Sequence, residues 1–261
     1  MSYTVAVTGK GGVGKTTVAS LLVTRLAARG CSPVLAVDAD PNTCLDAALG
    51  LEVEKTIGTV REEAREIAKL GLGAGVSKRE LLELKIAESL VEGEDFDLIA
   101  MGRPEGPGCY CYANNVLKEA VAQIAKSYPY LVLDNEAGLE NLSRRIVRYV
   151  DLLVMVADPS KRGLDTVARL HHLAVEMDIR YGRLAIVVNR LRRGDFPDAA
   201  AALKRETGAN FLIGLPENEA LAELGESGGG LVRLPEDNPV LEELDRFLGE
   251  AGVGRAPAIT C

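Results

Sequence analysis

The sequence has no apolar run that approaches the roughly 20 residues a helix needs to cross a bilayer. Its first residues pass from Met1 directly into the segment Tyr3–Val7, without the basic region or cleavage-like site of a signal peptide. We therefore expect a cytoplasmic protein that has no membrane-spanning helix.

Positive charge is also scarce. The 261 residues include 30 Lys and Arg against 38 Asp and Glu, which gives a formal net charge of −8. Proteins that bind nucleic acid or anionic membranes usually present a basic face, so this balance argues against both classes of partner. We expect no nucleic-acid partner and no membrane partner.

Cysteine is infrequent, and the five cysteines are an odd number. In a reducing cytosol this indicates free thiols or metal ligands rather than a disulfide framework. Cys31 and Cys44 lie beside strand or helical segments, and we expect both to pack against the core. Cys261 at the end of the sequence has no evident role.

Short apolar runs alternate with helical patterns along the chain. The predicted strands are Tyr3–Thr8, Pro33–Asp38, Phe96–Met101, Tyr130–Asp134, Leu152–Ala157, Leu184–Asn189 and Phe211–Gly214. The predicted helices are Gly14–Arg29, Ala113–Lys126, Leu139–Val147, Leu164–Glu176, Phe196–Thr207, Glu217–Glu226 and Val240–Gly249. Most strand runs are continuously apolar, as in parallel strands covered on both faces. The pattern predicts an α/β fold with a doubly wound, mainly parallel sheet flanked by helices.

No internal repeat or long linker divides the chain, so we predict a single domain over residues 1–261, with 252–261 as a C-terminal tail. The stretch Val60–Val91 contains helical patterns broken at Gly71–Gly75. It predicts an insertion between the second and third predicted strands.

A glycine-rich loop follows the first predicted strand. Its residues, Gly9-Lys10-Gly11-Gly12-Val13-Gly14-Lys15-Thr16-Thr17, match the pattern GxxxxGK[ST]. Glycines let backbone N–H groups approach a phosphate, and the helix beginning near Gly14 directs its positive end at the same anion. Lys15 would reach the β- and γ-phosphates, Thr16 would be a Mg²⁺ ligand, and Thr17 can donate to the α-phosphate. The loop predicts binding of ATP with Mg²⁺, and hydrolysis; a chance glycine-rich turn is disfavoured by the flanking strand and helix.

A second lysine, Lys10, gives the loop the sequence GKGGVGKTT. This resembles the deviant Walker A motif of ATPases related to the nitrogenase iron protein and the cell-division positioning ATPases. The resemblance implies a homodimer in which Lys10 contacts the partner's nucleotide. There it would neutralise charge on the transferred phosphoryl group, as an arginine finger does. The alternative is a solvent-exposed lysine.

Carboxylates end two other predicted strands. The spacing of Asp38 and Asp40 puts both on one side of an extended segment, facing the crevice where such sheets bind ligands. Either could instead cap a helix. Asp134 ends an apolar run in the Walker B arrangement and would bind Mg²⁺ through a water. The resemblance implies that Asp38 supports the Mg²⁺ shell, that Asp40 orients the attacking water, and that Gly138 belongs to a second switch sensing the γ-phosphate.

The resemblance also implies two contacts with the adenine base. One comes from Asn189-Arg190 at the end of the sixth predicted strand. The other comes from Pro216 and Glu217 in the segment Leu215–Asn218, which resembles the loop that closes over the base. Asparagine and proline are also ordinary loop residues.

A Cys-x-Cys pair, Cys109 and Cys111, lies in a loop rich in glycine and proline. Cysteines two apart in an extended chain point the same way, so both can reach one ion. Thiolates select ions such as Zn²⁺ or Ni²⁺, or an iron–sulfur centre, and two supply half of a closed four-ligand site. A two-fold dimer would complete it; the alternative is two small buried hydrophobic residues.

With this pair, the chain from Val5 to about Glu226 resembles the CooC-type ATPases that mature the nickel site of carbon monoxide dehydrogenase. The resemblance implies an ATP-hydrolysing metallochaperone that dimerises with ATP and metal. It also implies Ni²⁺ or Zn²⁺ at the Cys-x-Cys site, with carbon monoxide dehydrogenase, or acetyl-CoA synthase, as the client.

Two other functions are open. A redox or carrier protein holding an iron–sulfur cluster is disfavoured because Asp134–Asn141 contains no cysteine, and no Cys-x-x-Cys occurs near the C-terminus. A membrane- or DNA-positioning ATPase is disfavoured because the amphipathic segment Val240–Leu248 is acidic. We expect that segment to pack on the domain instead.

Overall fold

The computed structural model describes residues 2–69, 84–102, 118–119, 121–139, 142, 147, 149–192 and 195–254. Within these ranges, eight strands form one sheet in the order β3-β4-β2-β5-β1-β6-β7-β8. The strands are β1 (Tyr3–Gly9), β2 (Val34–Asp38), β3 (Leu90–Val91), β4 (Phe96–Ala100), β5 (Tyr130–Asp134), β6 (Val150–Ala157), β7 (Tyr181–Leu191) and β8 (Phe211–Pro216). The pairing is parallel except between β3 and β4.

Helices separate most of these strands. They are α1 (Lys15–Ala28), α2 (Leu45–Leu49), α3 (Ile57–Lys69), α4 (Lys161–Glu176), α5 (Asp198–Thr207), α6 (Glu219–Ser227) and α7 (Pro239–Glu250). Short 3₁₀ turns cover Ala125–Ser127 and Leu231–Arg233. Among the described residues, no helix is long and apolar enough to cross a membrane.

The central strands are buried on both faces. Every residue of β2 and β5 is buried. Alternate side chains of the sheet enter two separate hydrophobic clusters, one containing Val5 and Val7 of β1 and the other containing Ala6. A strand covered on both sides needs apolar residues at every position, which explains the continuous runs in the sequence. The predicted doubly wound fold is therefore confirmed.

The sequence patterns missed two short elements. The edge strand β3 has two residues and pairs antiparallel with β4, and the five-residue α2 directly follows the β2 loop. Neither is long enough to show a period in the sequence. The predicted helices Ala113–Lys126 and Leu139–Val147 lie partly outside the described residues.

The last helix packs on the domain as expected. Its apolar face is buried, including Leu244 and Phe247. Arg25 of α1 donates two hydrogen bonds to Asp245, at 3.2 and 2.7 Å, and one to Glu236 at 2.6 Å. The packing continues beyond α7, because Val253 is 1% exposed.

Candidate nucleotide-binding site

The carboxyl ends of the parallel strands bring the predicted site residues to one edge of the sheet. β1 lies between β5 and β6, and its last residue, Gly9, pairs with Val156 near the end of β6. Asp38 and Asp134 are register partners at the ends of β2 and β5. This edge is where sheets of this class bind ligands.

The phosphate loop requires glycine at specific positions. Gly12 and Gly14 have φ values of 80° and 93°, in the left-handed region that disfavours a side chain. A Cβ on Gly9 would lie 2.4 Å from the carbonyl oxygen of Val156. Gly11 and Gly12 are exposed, whereas Val13 is buried and anchors the loop to the core.

The two lysines of the loop occupy different environments. Lys15, the first residue of α1, donates from Nζ to the carbonyl oxygen of Lys10 at 3.3 Å, so its side chain bends back over the loop. Thr16 and Thr17 follow it and are partly exposed. The Lys10 side chain is exposed, and its charge helps to hold the pKa of Asp158 below its usual value, after the larger effect of the Ser160 hydroxyl.

Asp134 is buried at the floor of this site. Burial raises its pKa to about 7, and the nearby charge of Asp38 adds to the increase. A hydrogen bond with Thr16 and the charge of Lys15 partly offset the effect. Its Oδ1 has no hydrogen-bond partner among the described residues. A buried carboxylate oxygen of this kind suits an oxygen-seeking cation such as Mg²⁺.

Asp38 caps the loop that leads into α2. Its Oδ1 accepts from the backbone N–H of Asp40 at 2.9 Å, and its Oδ2 accepts from Cys44 and Leu45 at 2.9 and 3.0 Å. Burial nevertheless raises its pKa to about 6. Asp38 is not the N-cap residue of α2, which is Cys44, but it accepts from the first N–H groups of that helix.

Asp40 is more accessible than Asp38. Its Oδ1 accepts hydrogen bonds from both the backbone and the side-chain nitrogen of Asn42, at 2.8 and 2.9 Å. This Asx turn fixes the direction of the carboxylate while leaving it partly exposed.

The second predicted switch contacts the phosphate loop directly. The N–H of Gly138 donates to the carbonyl oxygen of Gly9 at 3.3 Å, and the Thr8 hydroxyl donates to the carbonyl oxygen of Gly138. Asn135 links the same segment to β1. Its backbone N–H and its Nδ2 both donate to the carbonyl oxygen of Val7, at 3.1 and 2.9 Å. This segment is therefore hydrogen bonded both to β1 and to the loop that follows it.

The residues predicted to contact adenine occupy two neighbouring strand ends. Asn189 and Arg190 lie near the end of β7, where both side chains contact the phosphate loop. Pro216 ends β8, and the N–H of Glu217 donates to the carbonyl oxygen of Leu191 at 3.0 Å. The contacts from Asn189 and Arg190 to the loop depend on how β7 lies against it, and no pattern in the sequence indicates them.

A further polar contact supports the loop after β8. Asn218 caps α6 by accepting from the N–H of Leu221 at 3.1 Å, and Nδ2 of Asn238 donates to the same oxygen at 3.1 Å. No sequence pattern indicates this contact, because Asn238 is separated from Asn218 by 20 residues. Its position two residues before a helical pattern indicates only a helix cap.

The cysteine predictions have mixed outcomes. Cys109 and Cys111, predicted as metal ligands, lie outside the described residues, as does Cys261. Cys31 is buried, as expected, but Cys44 is exposed, so its predicted packing role is wrong. Cys44 lies in the turn before α2, where its backbone N–H donates a hydrogen bond to Asp38. In the part of the chain that the structure describes, no group of three His, Cys, Asp or Glu residues could hold a metal ion.

A GxxxxGK[ST] loop between a central strand and a helix, with a buried carboxylate on the neighbouring strand, defines an ATP-binding P-loop ATPase. The chain belongs to the AAA domain family, whose model matches residues 2–181. The uncharacterized ATP-binding protein MJ0685 of Methanocaldococcus jannaschii is 42% identical over 93% of this chain and 96% of that protein. The carbon monoxide dehydrogenase accessory protein CooC of Rhodospirillum rubrum is 29% identical over 86% of this chain and 87% of that protein.

Solved structures share the fold. The cell division protein MinD of Aquifex aeolicus aligns with a TM-score of 0.67 and 24% identity, covering 100% of both chains. A ParA family ATPase from Chlorobium tepidum aligns with a TM-score of 0.70 and 18% identity, covering 94% of this chain and 97% of that one. At these identities the likeness concerns the fold alone.

Proposed function

We propose that this protein is a Mg²⁺-dependent ATPase that dimerises with ATP and metal and acts as a metallochaperone. Its client is proposed to be carbon monoxide dehydrogenase, with acetyl-CoA synthase as the second choice. The observation that carries the ATPase part is the buried Oδ1 of Asp134, which lacks a described partner beside the phosphate loop. The client rests on the likeness to CooC.

The donor set at the loop fits Mg²⁺. Thr16 supplies a hydroxyl and Asp134 a carboxylate, and the Thr16 hydroxyl is near enough to lower the pKa of that carboxyl. Oxygen ligands of this kind are those that Mg²⁺ prefers. When bound, the ion would neutralise charge on the phosphates. Thr16 and Asp134 would hold it, Asp134 through a water, with Asp38 supporting that shell.

The remaining residues of the site would bind and orient. Lys15 bends over the loop and would contact the β- and γ-phosphates once ATP displaces it from the Lys10 carbonyl. Asp40, held by its Asx turn, would orient the attacking water. Gly138, whose N–H is 3.3 Å from the Gly9 oxygen, would exchange this contact for the γ-phosphate. That exchange would report the nucleotide state to the rest of the chain.

Lys10 is proposed to act across a dimer. Its side chain is exposed, which supports a contact with a partner's nucleotide. A positive charge there stabilises the transferred phosphoryl group. Because the lysine reaches its target only in the closed dimer, ATP binding would promote dimer closure. Closure would bring Cys109 and Cys111 of the two chains together around Ni²⁺ or Zn²⁺ as cargo.

The test measures metal content and oligomeric state with and without ATP. Wild type, the Cys109→Ser/Cys111→Ser double variant and the control Cys44→Ser would be compared, since Cys44 is an exposed thiol outside the pair. We expect one ion per dimer in wild type and in the control, and none in the double variant. A double variant that keeps its metal would refute the metal site. A finding of about four irons per dimer would favour the iron–sulfur alternative.

A further inference from the structure

Two carbonyl groups of the phosphate loop are held by side chains from β7. Nδ2 of Asn189 donates to the carbonyl oxygen of Val13 at 2.9 Å. The guanidinium of Arg190 donates to the carbonyl oxygen of Gly12 at 3.3 Å. Consecutive peptide groups of the loop are thus fixed from the same strand.

Fixing a carbonyl also fixes the N–H of the next residue. In a trans peptide the C=O and the N–H point in opposite directions within one plane. The contact at Val13 therefore turns the N–H of Gly14 away from β7, and the contact at Gly12 does the same for the N–H of Val13. Backbone N–H groups turned into such a loop are what bind phosphate oxygens.

From this geometry we infer that Asn189 and Arg190 are positioning residues for the phosphate-binding amides. They hold the loop in its phosphate-binding shape before any nucleotide arrives. This assignment rests on the proposed ATP binding, and it gives the two residues a role other than contact with adenine.

The environment of Asn189 supports this role. The residue is 9% exposed, and its Oδ1 accepts from the N–H of Arg190 at 3.0 Å, which fixes the direction of the amide. A Cβ on Gly14 would lie 2.4 Å from its Nδ2. The absence of a side chain at position 14 is what allows the amide to reach the loop.

Arg190 is held in a conformation that few residues adopt. Its φ is 62°, and the pairing of β7 with β8 is irregular between Val188 and Leu191. A non-glycine residue keeps such a backbone when surrounding contacts over-determine it, and this is common at ligand sites. Here the contacts are those to Asn189 and to Gly12.

The test uses a ligand that has phosphates but no base. Binding of inorganic tripolyphosphate and of ATP to the full chain would be measured by calorimetry. The variants are Asn189→Ala and Arg190→Asn. Asn210→Ala is the control for Asn189, since Asn210 accepts from Leu184 N at 2.9 Å, nearer the start of β7. Arg192→Asn is the charge-matched control for Arg190, because Arg192 pairs with Glu217 at 3.2 Å.

We expect Asn189→Ala to weaken the binding of tripolyphosphate and of ATP by the same factor. The factor should be about tenfold, which corresponds to the loss of one buried hydrogen bond. Arg190→Asn should weaken both by about threefold, because its contact is longer and exposed. Asn210→Ala should change the affinity for either ligand less than Asn189→Ala does, and Arg192→Asn less than Arg190→Asn does. Thermal melting of each variant establishes that it is folded, and if Asn189→Ala does not fold, Arg190→Asn carries the test.

Other outcomes would contradict either this inference or the proposed function. If Asn189→Ala weakens ATP but leaves tripolyphosphate unchanged, the residue contacts the base and the inference is wrong. If wild type binds neither ligand, the proposed function fails instead. Backbone NMR order parameters of the free protein then still decide the inference. A lower order parameter for the Gly14 amide in Asn189→Ala than in wild type supports it, and an unchanged one overturns it.

Discussion

Asp38 and Asp134 lie directly opposite each other at the ends of the neighbouring parallel strands β2 and β5. Both carboxyl groups are buried, and burial raises their pKa values to about 6 and about 7. Backbone N–H groups stabilise the charge on Asp38, whereas Oδ1 of Asp134 has no described partner. In the absence of a cation, Asp134 is therefore the costlier charge of the two.

This difference predicts a pH-dependent effect of Asp134→Asn on the nucleotide-free protein. The pKa of about 7 in the folded protein exceeds the ordinary value of 3.8 for an aspartate side chain. The folded state thus binds more protons between these values, and this contribution to stability is lost as pH rises through about 7. At pH 8 we expect the free energy of unfolding of the variant to be about 1–3 kcal/mol higher than that of wild type, so the variant is more stable. At pH 4 the two should differ little.

Urea unfolding at the two pH values measures this, with the exposed Asp198→Asn as the control. Equal effects of Asp134→Asn at pH 4 and pH 8 would contradict the prediction. The same variant should lose ATP hydrolysis, because it lacks the carboxylate proposed to bind Mg²⁺.

Gly14→Ala should be more damaging than Gly30→Ala, although both glycines have a left-handed backbone. Gly14 and Gly30 have φ values of 93° and 75°, but a Cβ would meet Asn189 only at Gly14, since it has open space at Gly30. The backbone penalty is about 1–2 kcal/mol in both cases. We expect Gly14→Ala to add a steric cost and to weaken ATP binding at least tenfold, while Gly30→Ala leaves binding unchanged. Calorimetry with ATP separates the two, and equal affinities would show that the Asn189 contact is unimportant.

Asn238 allows two contacts to be separated. Its Oδ1 caps α7 by accepting from Val240 N at 3.0 Å, and its Nδ2 supports Asn218 at 3.1 Å. Asn238→Asp keeps the cap and removes the second contact, whereas Asn238→Ala removes both. We expect losses of about 1 kcal/mol for the aspartate variant and about 2 kcal/mol for the alanine variant. Denaturant unfolding measures both, and equal losses would mean that the cap on Val240 contributes nothing, whereas an aspartate variant as stable as wild type would mean that the link to Asn218 contributes nothing.

The ion pairs of Arg25 should contribute unequally. Asp245 makes two hydrogen bonds to it and has a side chain 31% exposed, whereas the side chain of Glu236 is 79% exposed. Solvent screens the more exposed pair, which is worth little. We expect Asp245→Ala to destabilise the protein by about 1–2 kcal/mol and Glu236→Ala by less than about 0.5 kcal/mol. A larger effect from Glu236→Ala in thermal or urea unfolding would reverse this order.

The fold followed from sequence patterns because its strands are covered on both faces. The continuous run Tyr130–Asp134 has no polar position before its final carboxylate, and all five residues are buried. The edge strand β3 has two partly buried residues and lacks that constraint. Its pairing depends on the neighbouring β4 rather than on its own residues.

In the candidate site, too, some residues are predictable from local sequence patterns and others are not. Local motifs identify the phosphate loop and Asp134, because spacing along the chain determines what they can do. Asn189 is different, since its hydrogen bond reaches Val13 across 176 positions. Likewise, the backbone donors to Asp38 depend on α2, which has no sequence signature of its own.

The central claim is that Lys10 of one subunit acts in the ATPase site of its partner. Mixing two inactive variants tests this claim most directly. Lys10→Ala keeps its own Asp40, and Asp40→Ala keeps a lysine to donate. Each mixed dimer would contain one complete site. With random pairing we expect the equimolar mixture to recover about a quarter of wild-type ATP hydrolysis, although each variant alone is inactive. A mixture as inactive as its two components would contradict the account.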